Sequence, residues 1–398
     1  MGYTAPSSLS LNVLRAVGVC EQKSFSAMSI VILTHPFFGN YGGMLQAYAM
    51  QKALACVDLD SSVCRYYDYP TLPFLKEVAR RLLSGIREAL ACFIPRFARK
   101  KVSQIHFYRN GAQFLKRYMK SLSYEESCRS GRAWVVGSDQ VWRAEYVTHW
   151  GGLPFFFLAD VPADVRSKSI AYAASFGTEK WSGTEEDAKV CAPLLSEFRA
   201  VAVREHSGIN ICRDQLGVAA VQMPDPTMLL STEDYNELIA KEKTWKPNSE
   251  YIAAYILDRT AAKDSLLAEC SGMEQAEVQH LLPQATAKKR RDRYPVSVAQ
   301  WLRLIRDSKY FVTDSFHGCV FAIIFNKPFV CLGNESRGSA RFDSLLRAFG
   351  LQGRLAINST AKQVQQILAT PIDWEKVNHI RRAEQQRAVV FLKENLEL

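Results

Sequence analysis

Short, almost uninterrupted apolar runs, spaced by helix-like stretches, set the strongest limit on what this chain can fold into. Ser29–Leu33, Ser61–Tyr67, Trp134–Gly137, Ser169–Ala174, Ala200–Val203 and Val221–Met223 read as strands in the first half. Tyr251–Leu257, Val278–Leu282, Tyr310–Thr313 and Phe329–Leu332 read as strands in the second. Helical patterns fall between them, at Met44–Ala55, Ser265–Met273, Val298–Asp307 and Cys319–Phe325. Strands that alternate with helices predict parallel sheets covered by helices.

The rhythm breaks once. Ser231–Glu250 is polar, rich in Lys and Glu, and contains Pro247-Asn248, so it reads as a connection between two units. At 398 residues the chain exceeds the size at which one core stops growing. The predicted fold is α/β and GT-B-like. A Rossmann-like domain over residues 28–232 forms the acceptor side, and a second over residues 248–372 forms the donor side. A cleft lies between them, and a helix at Trp374–Asn395, within residues 373–398, packs back across both. Residues 1–27 are polar and weakly patterned and read as an extension, and Met28 competes with Met1 as the start. Such folds bind ligands in the crevice at the carboxyl ends of the strands. Motifs placed just after strands therefore carry the chemistry.

Composition removes several classes. The cysteines include no Cys-x-x-Cys pair, so a zinc or iron–sulfur centre has no support, and their scatter through apolar runs fits a reducing cytoplasm. No apolar stretch reaches the roughly 18 uncharged residues of a membrane span. The formal charge of +10 asks for an acidic partner. It is not organised into a nucleic-acid reading element, so nucleic acid is not the expected one. Two basic clusters stand out, Lys288–Arg293 and the longer Arg80–Lys101. The latter mixes its cations with Leu82, Leu83, Ile86, Leu90, Phe93 and Phe97, a basic amphipathic pattern that suits either an anionic membrane surface or a packed helix with a solvated face.

The segment Phe311–Val330, FVTDSFHGCVFAIIFNKPFV, is the strongest local signal. A buried strand enters a polar turn and an apolar helix leaves it. Amide groups at a helix start are unsatisfied and favour an anion. Ser315 can cap the helix or bond the anion, and Gly318 allows close backbone approach. His317 carries a group that titrates near neutrality and is the candidate proton donor. A capped core helix would read the same way from His317 alone; the convergence of Asp314, Ser315, His317 and Gly318 favours a site.

Other strand ends add candidates. Phe38-Gly39-Asn40-Tyr41-Gly42-Gly43 is either a ligand-approaching turn or a plain strand–helix turn. Gly137-Ser138-Asp139-Gln140 clusters hydrogen-bonding groups, and Asp139 can bind a sugar hydroxyl, act as a base or cap a helix. Arg204, after Ala200–Val203, can grip a carboxylate or phosphate or pair with Glu205. Asp225-Pro226-Thr227 reads as a turn. Arg337 and Arg341 are further phosphate contacts or part of a solvated loop.

Taken in order, these motifs resemble the polysaccharide pyruvyl transferase family. The carriers are Asn40-Tyr41-Gly42-Gly43-Met44-Leu45-Gln46-Ala47-Tyr48-Ala49, Gly137–Trp142 (GSDQVW), Arg204–Gly208 (REHSG), Asp225–Thr227 (DPT) and Thr313–Gly318 (TDSFHG). Cys319 and Ala322 depart from the Thr and Ser common in that family. The resemblance implies transfer of pyruvyl from phosphoenolpyruvate to a sugar as a ketal; no cofactor beyond that co-substrate is expected, and the sequence offers no metal-ligand cluster. His317 and Asp139 would be catalytic. Arg204, Ser315, Gly318, Arg337 and Arg341 would hold the donor, and Asn40, Tyr41, Gly42 and Gln140 the acceptor. The implied setting is cytoplasmic, with a lipid-linked acceptor giving Arg80–Lys101 a purpose at the inner face of the membrane. A glycosyltransferase using a nucleotide-sugar donor on the same architecture is the alternative.

Overall fold

A computed structural model describes residues 29–37, 39–67, 96–284, 287, 289–333 and 339–396. Among them, seven parallel strands build the first sheet: β1 (Ser29–Leu33), β2 (Ser61–Arg65), β3 (Ser121–Ser123), β4 (Gly131–Val136), β5 (Ile170–Ala174), β6 (Ala200–Val203) and β7 (Val221–Gln222). Their spatial order is β3-β2-β1-β4-β5-β6-β7. Five more parallel strands, β8 (Tyr251–Tyr255), β9 (Glu277–His280), β10 (Tyr310–Thr313), β11 (Phe329–Leu332) and β12 (Leu355–Ala356), follow the order β12-β11-β10-β8-β9. In register, Ile32 opposes Val135 and Val312 opposes Ala254. The apolar runs are explained by burial on both faces: β5 and β8 are buried at every position. These are the two α/β units of a GT-B-like fold. The edge strands β3 and β12 escape a pattern-based reading because they are only a few residues long.

The strand order reverses direction once in each sheet, between β1 and β4 and between β8 and β10. At such switch points the connections leave on opposite faces and open a crevice beyond the carboxyl ends. The two crevices face each other.

Several helices hold the halves together. The first, α1 (Tyr41–Ala55), begins three residues earlier than the sequence pattern suggests, because the Asn40 side chain caps it by accepting from the Gly43 amide at 3.0 Å. Its first turns are buried all round, as befits a helix between two sheets. Tyr41 stacks on Trp301 of α2 (Val298–Arg306), centroids 5.4 Å apart, and its hydroxyl donates to the Val296 carbonyl. The helix α3 (Phe316–Ile324), capped by Ser315, likewise starts before Cys319, where the apolar pattern begins. Beyond α4 (Ser339–Ala348), the closing α5 (Trp374–Leu396) returns to the first half. There Gln385 donates to the Met228 carbonyl, Arg387 to that of Gln222, and Phe391 meets Tyr172 edge-on. The segment read as a connection contains a helix, Thr232–Ala240, whose Tyr235 packs edge-on against Phe321. Among the described residues no helix is long and apolar enough to cross a membrane. The extension 1–27, Arg337 and most of Arg80–Lys101 lie outside the described residues.

Candidate functional site

Four loops meet where the two switch points face each other. They are the turns after β1, β4, β8 and β10, and a pocket of about 570 Å³ opens between them. Its first wall carries His35, Asn40, Asp139, Gln140 and Tyr146, and its second carries Ser315, His317 and Arg341. Parallel strands put all their carboxyl ends on one edge, so loops remote in sequence converge without any local signal.

A buried polar frame fixes these turns. Gln46 of α1 donates to Thr34 Oγ1 at 2.7 Å and accepts from the Ser138 amide at 3.0 Å. Thr34 Oγ1 in turn donates to the Ser138 carbonyl. One side chain thus ties together the turns after β1 and β4, which explains the glutamine in the Leu45-Gln46-Ala47 run. Asp139 holds a left-handed backbone, φ 65°, a conformation Asp tolerates better than most residues. Across the cleft, the Asp314 carboxylate accepts from the Leu257 and Asp258 amides and from Lys263 Nζ at 2.7 Å. Asp314 is therefore the clamp between the β8 and β10 turns.

Beneath the pocket lies a cluster of buried charges. Arg204 is only 4% exposed. Its guanidinium sits 3.0 Å from Asp225, 3.6 Å from Asp139 and 3.9 Å from Glu205. It also lies against the Phe316 ring, 4.3 Å from the centroid. Asp225 accepts from Ser138 Oγ at 3.0 Å and from Thr227 Oγ1 at 2.7 Å, and one oxygen lies 3.4 Å from His317 Nε2. Burial alone would raise the Asp225 pKa, but the charges and hydrogen bonds of His317, Arg204 and Thr227 drive it well below the usual carboxylate range. Asp139 follows the same pattern: burial opposes ionisation, and His317 and Arg204 outweigh it, so its pKa is lowered. Arg341 is pushed down to about 10 by burial and by Arg204, which leaves it cationic at neutral pH.

The expected site residues divide by position. His317, Ser315, Arg341, Asn40, Asp139 and Gln140 line the pocket. Ser315 is already engaged as a cap, accepting from the Gly318 amide at 3.3 Å. Gln140 accepts from Arg143 at 3.1 Å, and Asn40 donates to Asp139 at 2.9 Å. Arg204 lies one layer below the lining, and Tyr41 lies in the contact between the halves. The space at Gly318 is taken by protein: an added Cβ would stand 2.3 Å from Thr313 Oγ1.

Gly42 has a different reason to be glycine than ligand approach. A Cβ there would lie 2.1 Å from both Cγ and Nδ1 of His317. The imidazole from the second half occupies the space a side chain would need in the first. Gly42→Ala should thus displace the ring and reduce turnover by at least ~10²-fold, close to the loss of a general acid. Alanine itself suits a helix, so thermal unfolding separates a misplaced ring from a broken fold. Wild-type activity in the variant would show that the ring position is not critical.

Two residues beyond the sequence candidates stand out. Asp225, which reads as a turn former in sequence, reaches His317 across the cleft. His35 lines the pocket two residues after β1, at the switch point. A histidine two residues past the first strand is the sequence signal for it.

No curated protein matches the chain. Among solved structures, the S. aureus MnaA–UDP structure is 13% identical, with 93% of this chain and 97% of that one covered and a TM-score of 0.49. The UDP-GlcNAc 2-epimerase of Neisseria meningitidis bound to UDP-GlcNAc is 11% identical, with 93% and 99% covered and a TM-score of 0.47. SsfS6, a glycosyltransferase of Streptomyces sp. SF2575, is 11% identical, with 92% and 99% covered and a TM-score of 0.41. A family model for polysaccharide pyruvyl transferase matches residues 40–336, well over half of the chain and spanning every motif from Asn40 to His317. The chain belongs to the polysaccharide pyruvyl transferase family.

Proposed function

We propose that this protein moves the pyruvyl group of phosphoenolpyruvate onto a sugar of a polysaccharide, or of its lipid-linked precursor, as a ketal. The observation that carries this reading is the pairing of His317 and Arg341 on one wall of a pocket with Asn40, Asp139 and Gln140 on the other. The His317 and Arg341 wall suits an anionic donor, and the Asn40, Asp139 and Gln140 wall a hydroxyl-bearing acceptor.

Ketal formation from an enol phosphate begins with a proton on the methylene carbon. His317 supplies it. Its Nε2 faces Asp225, which balances the charge of an imidazolium, and the ring lines the pocket while its Cγ and Nδ1 pack against Gly42. Arg341 holds the phosphate or carboxylate, helped by the start of α3. Arg204 acts from below: it fixes Asp139 and Asp225 and supports Phe316, rather than gripping the donor itself. A sugar hydroxyl then attacks the cationic carbon, and a second hydroxyl displaces phosphate. Of the two hydroxyl protons, one is matched by the new C–H bond and one leaves on phosphate.

The test is phosphate release from phosphoenolpyruvate against a panel of hexosides with free diols. Acceptor-dependent phosphate release is expected, together with a product heavier by the ketal. Release of a nucleoside diphosphate from a sugar nucleotide, with phosphoenolpyruvate untouched, would instead assign glycosyl transfer. Placement at the inner face of a membrane belongs to the same proposal and follows from the basic segment Arg80–Lys101.

A further inference from the structure

We infer that His35 is the base that takes the proton of the attacking sugar hydroxyl, in place of Asp139. The inference rests on the pyruvyl-transfer reading.

The two residues line the same wall, but their side chains are differently committed. Asp139 accepts from Asn40 through one oxygen, and its other oxygen lies 3.6 Å from the Arg204 guanidinium. Both oxygens are engaged, and the carboxylate is a weak base. His35 Nε2 is buried and finds no hydrogen-bond partner among the described residues. A buried polar atom without a partner, on a residue that lines a pocket, is a group a ligand can complete. Its ring is held between Tyr146 and Phe156, with centroids 6.4 Å and 5.8 Å away. The preceding residue is fixed on both sides: Thr34 bonds Ser138 and Gln46 through its hydroxyl, and its carbonyl accepts from Tyr66. The imidazole is thus preorganised by its neighbours, as a catalytic group must be.

Its charge state agrees with the role. Burial lowers the His35 pKa below its ordinary value, and Arg204 acts in the same direction, against the pull of Asp139 and the Gln140 backbone. At neutral pH the ring is the free base. The other titratable groups around the pocket are Asp139, Glu145 and Tyr146 on the same side, and Tyr255, Asp314, His317 and Arg341 across it. Once His35 has accepted a proton, Asp139 offsets the new positive charge, as an orienting carboxylate does for a catalytic histidine.

The step balances. The hydroxyl oxygen forms its bond to the cationic carbon as the O–H bond breaks, and that proton passes to His35. His317 has already given one proton to the methylene carbon. Phosphate later departs with the electron pair of its C–O bond and carries off the proton held by His35, and the second hydroxyl closes the ketal as its own proton returns to His317. The two histidines therefore take opposite parts, proton donor and proton acceptor, on opposite walls of one pocket.

The experiment measures phosphate release by the full-length protein with phosphoenolpyruvate and the hexoside most active with the wild type. His35→Ala should lose about 10²- to 10⁴-fold in kcat. Binding of phosphoenolpyruvate, followed by calorimetry, should be unchanged. Added imidazole should restore part of the lost rate. The wild-type rate should fall in acid as His35 becomes protonated, below its ordinary value near 6.5, and this limb should vanish in His35→Gln, which keeps the volume and a polar tip. A glutamine variant within about threefold of wild type, an unchanged acid limb, or no response of the folded alanine variant to imidazole would each overturn the assignment. If the wild type releases no phosphate with any diol, the pyruvyl-transfer reading fails and this inference falls with it.

Discussion

His317→Ala should leave the fold intact and reduce phosphate release by about 10²- to 10⁴-fold, the usual contribution of a general acid. The fold should survive because the histidine occupies the first turn of α3, where alanine is a good helix former. Asp225 keeps its bonds from Ser138, Thr227 and Arg204 without it. The catalytic loss should fall on kcat. Arg341 and the helix start, the proposed donor contacts, remain, so the affinity for phosphoenolpyruvate should change little. That division separates a proton donor from a binding residue: a raised KM with unchanged kcat would reassign His317 to donor binding. A folded variant that still turns over would remove it from the site. Gly42→Ala and His317→Ala should look alike in kcat, since one displaces the ring and the other deletes it.

The comparison of these two positions also shows what the sequence makes legible. The continuous apolar runs at β1, β4, β5, β8, β10 and β11 announce strands buried on both faces, and the fold follows from their alternation with helices. The motifs at Asn40, Gly137–Gln140, Arg204 and Thr313–Gly318 are legible as strand ends, and parallel strands bring such ends to one edge. Depth is not legible. Arg204 and Asp139 both follow strands, yet one lies beneath the lining and the other within it, because Phe316 from the second half covers the guanidinium. Tyr41 sits in a motif with Asn40, yet helix periodicity turns it toward Trp301, and it does not line the pocket. Nor are contacts between the halves legible. Gly42 is glycine because a residue far along the chain fills its space, and Asp225 reads as a turn because its second partner, His317, comes from the other sheet. These relations are set by how the two units dock, and no local pattern encodes that.

Asp225→Asn should produce the largest loss of stability, about 3–5 kcal/mol, the range found when one partner of a buried ion pair is removed. The substitution keeps the shape and removes the charge. Arg204 would then keep Asp139 at 3.6 Å and Glu205 at 3.9 Å but lose its shortest contact, the one at 3.0 Å. His317 would lose the carboxylate that faces it. Denaturant unfolding at pH 7 measures the first effect. The pH dependence supplies a second, independent reading. The folded-state pKa of Asp225 is depressed, so its contribution is fully present above the unfolded value near 3.9 and is lost as pH falls from there toward the folded value. Asp139 contributes in the same direction. The stability gap between wild type and Asp225→Asn should therefore be constant above about pH 5 and narrow as pH falls below about 4. A gap that stays constant down to pH 3 would mean that the Asp225 carboxylate is not held ionised by its neighbours. Turnover should drop as well, because the imidazole proposed as the proton donor loses the charge that balances its protonated form. Loss of stability with unchanged kcat would separate the two roles and confine Asp225 to the architecture beneath the pocket.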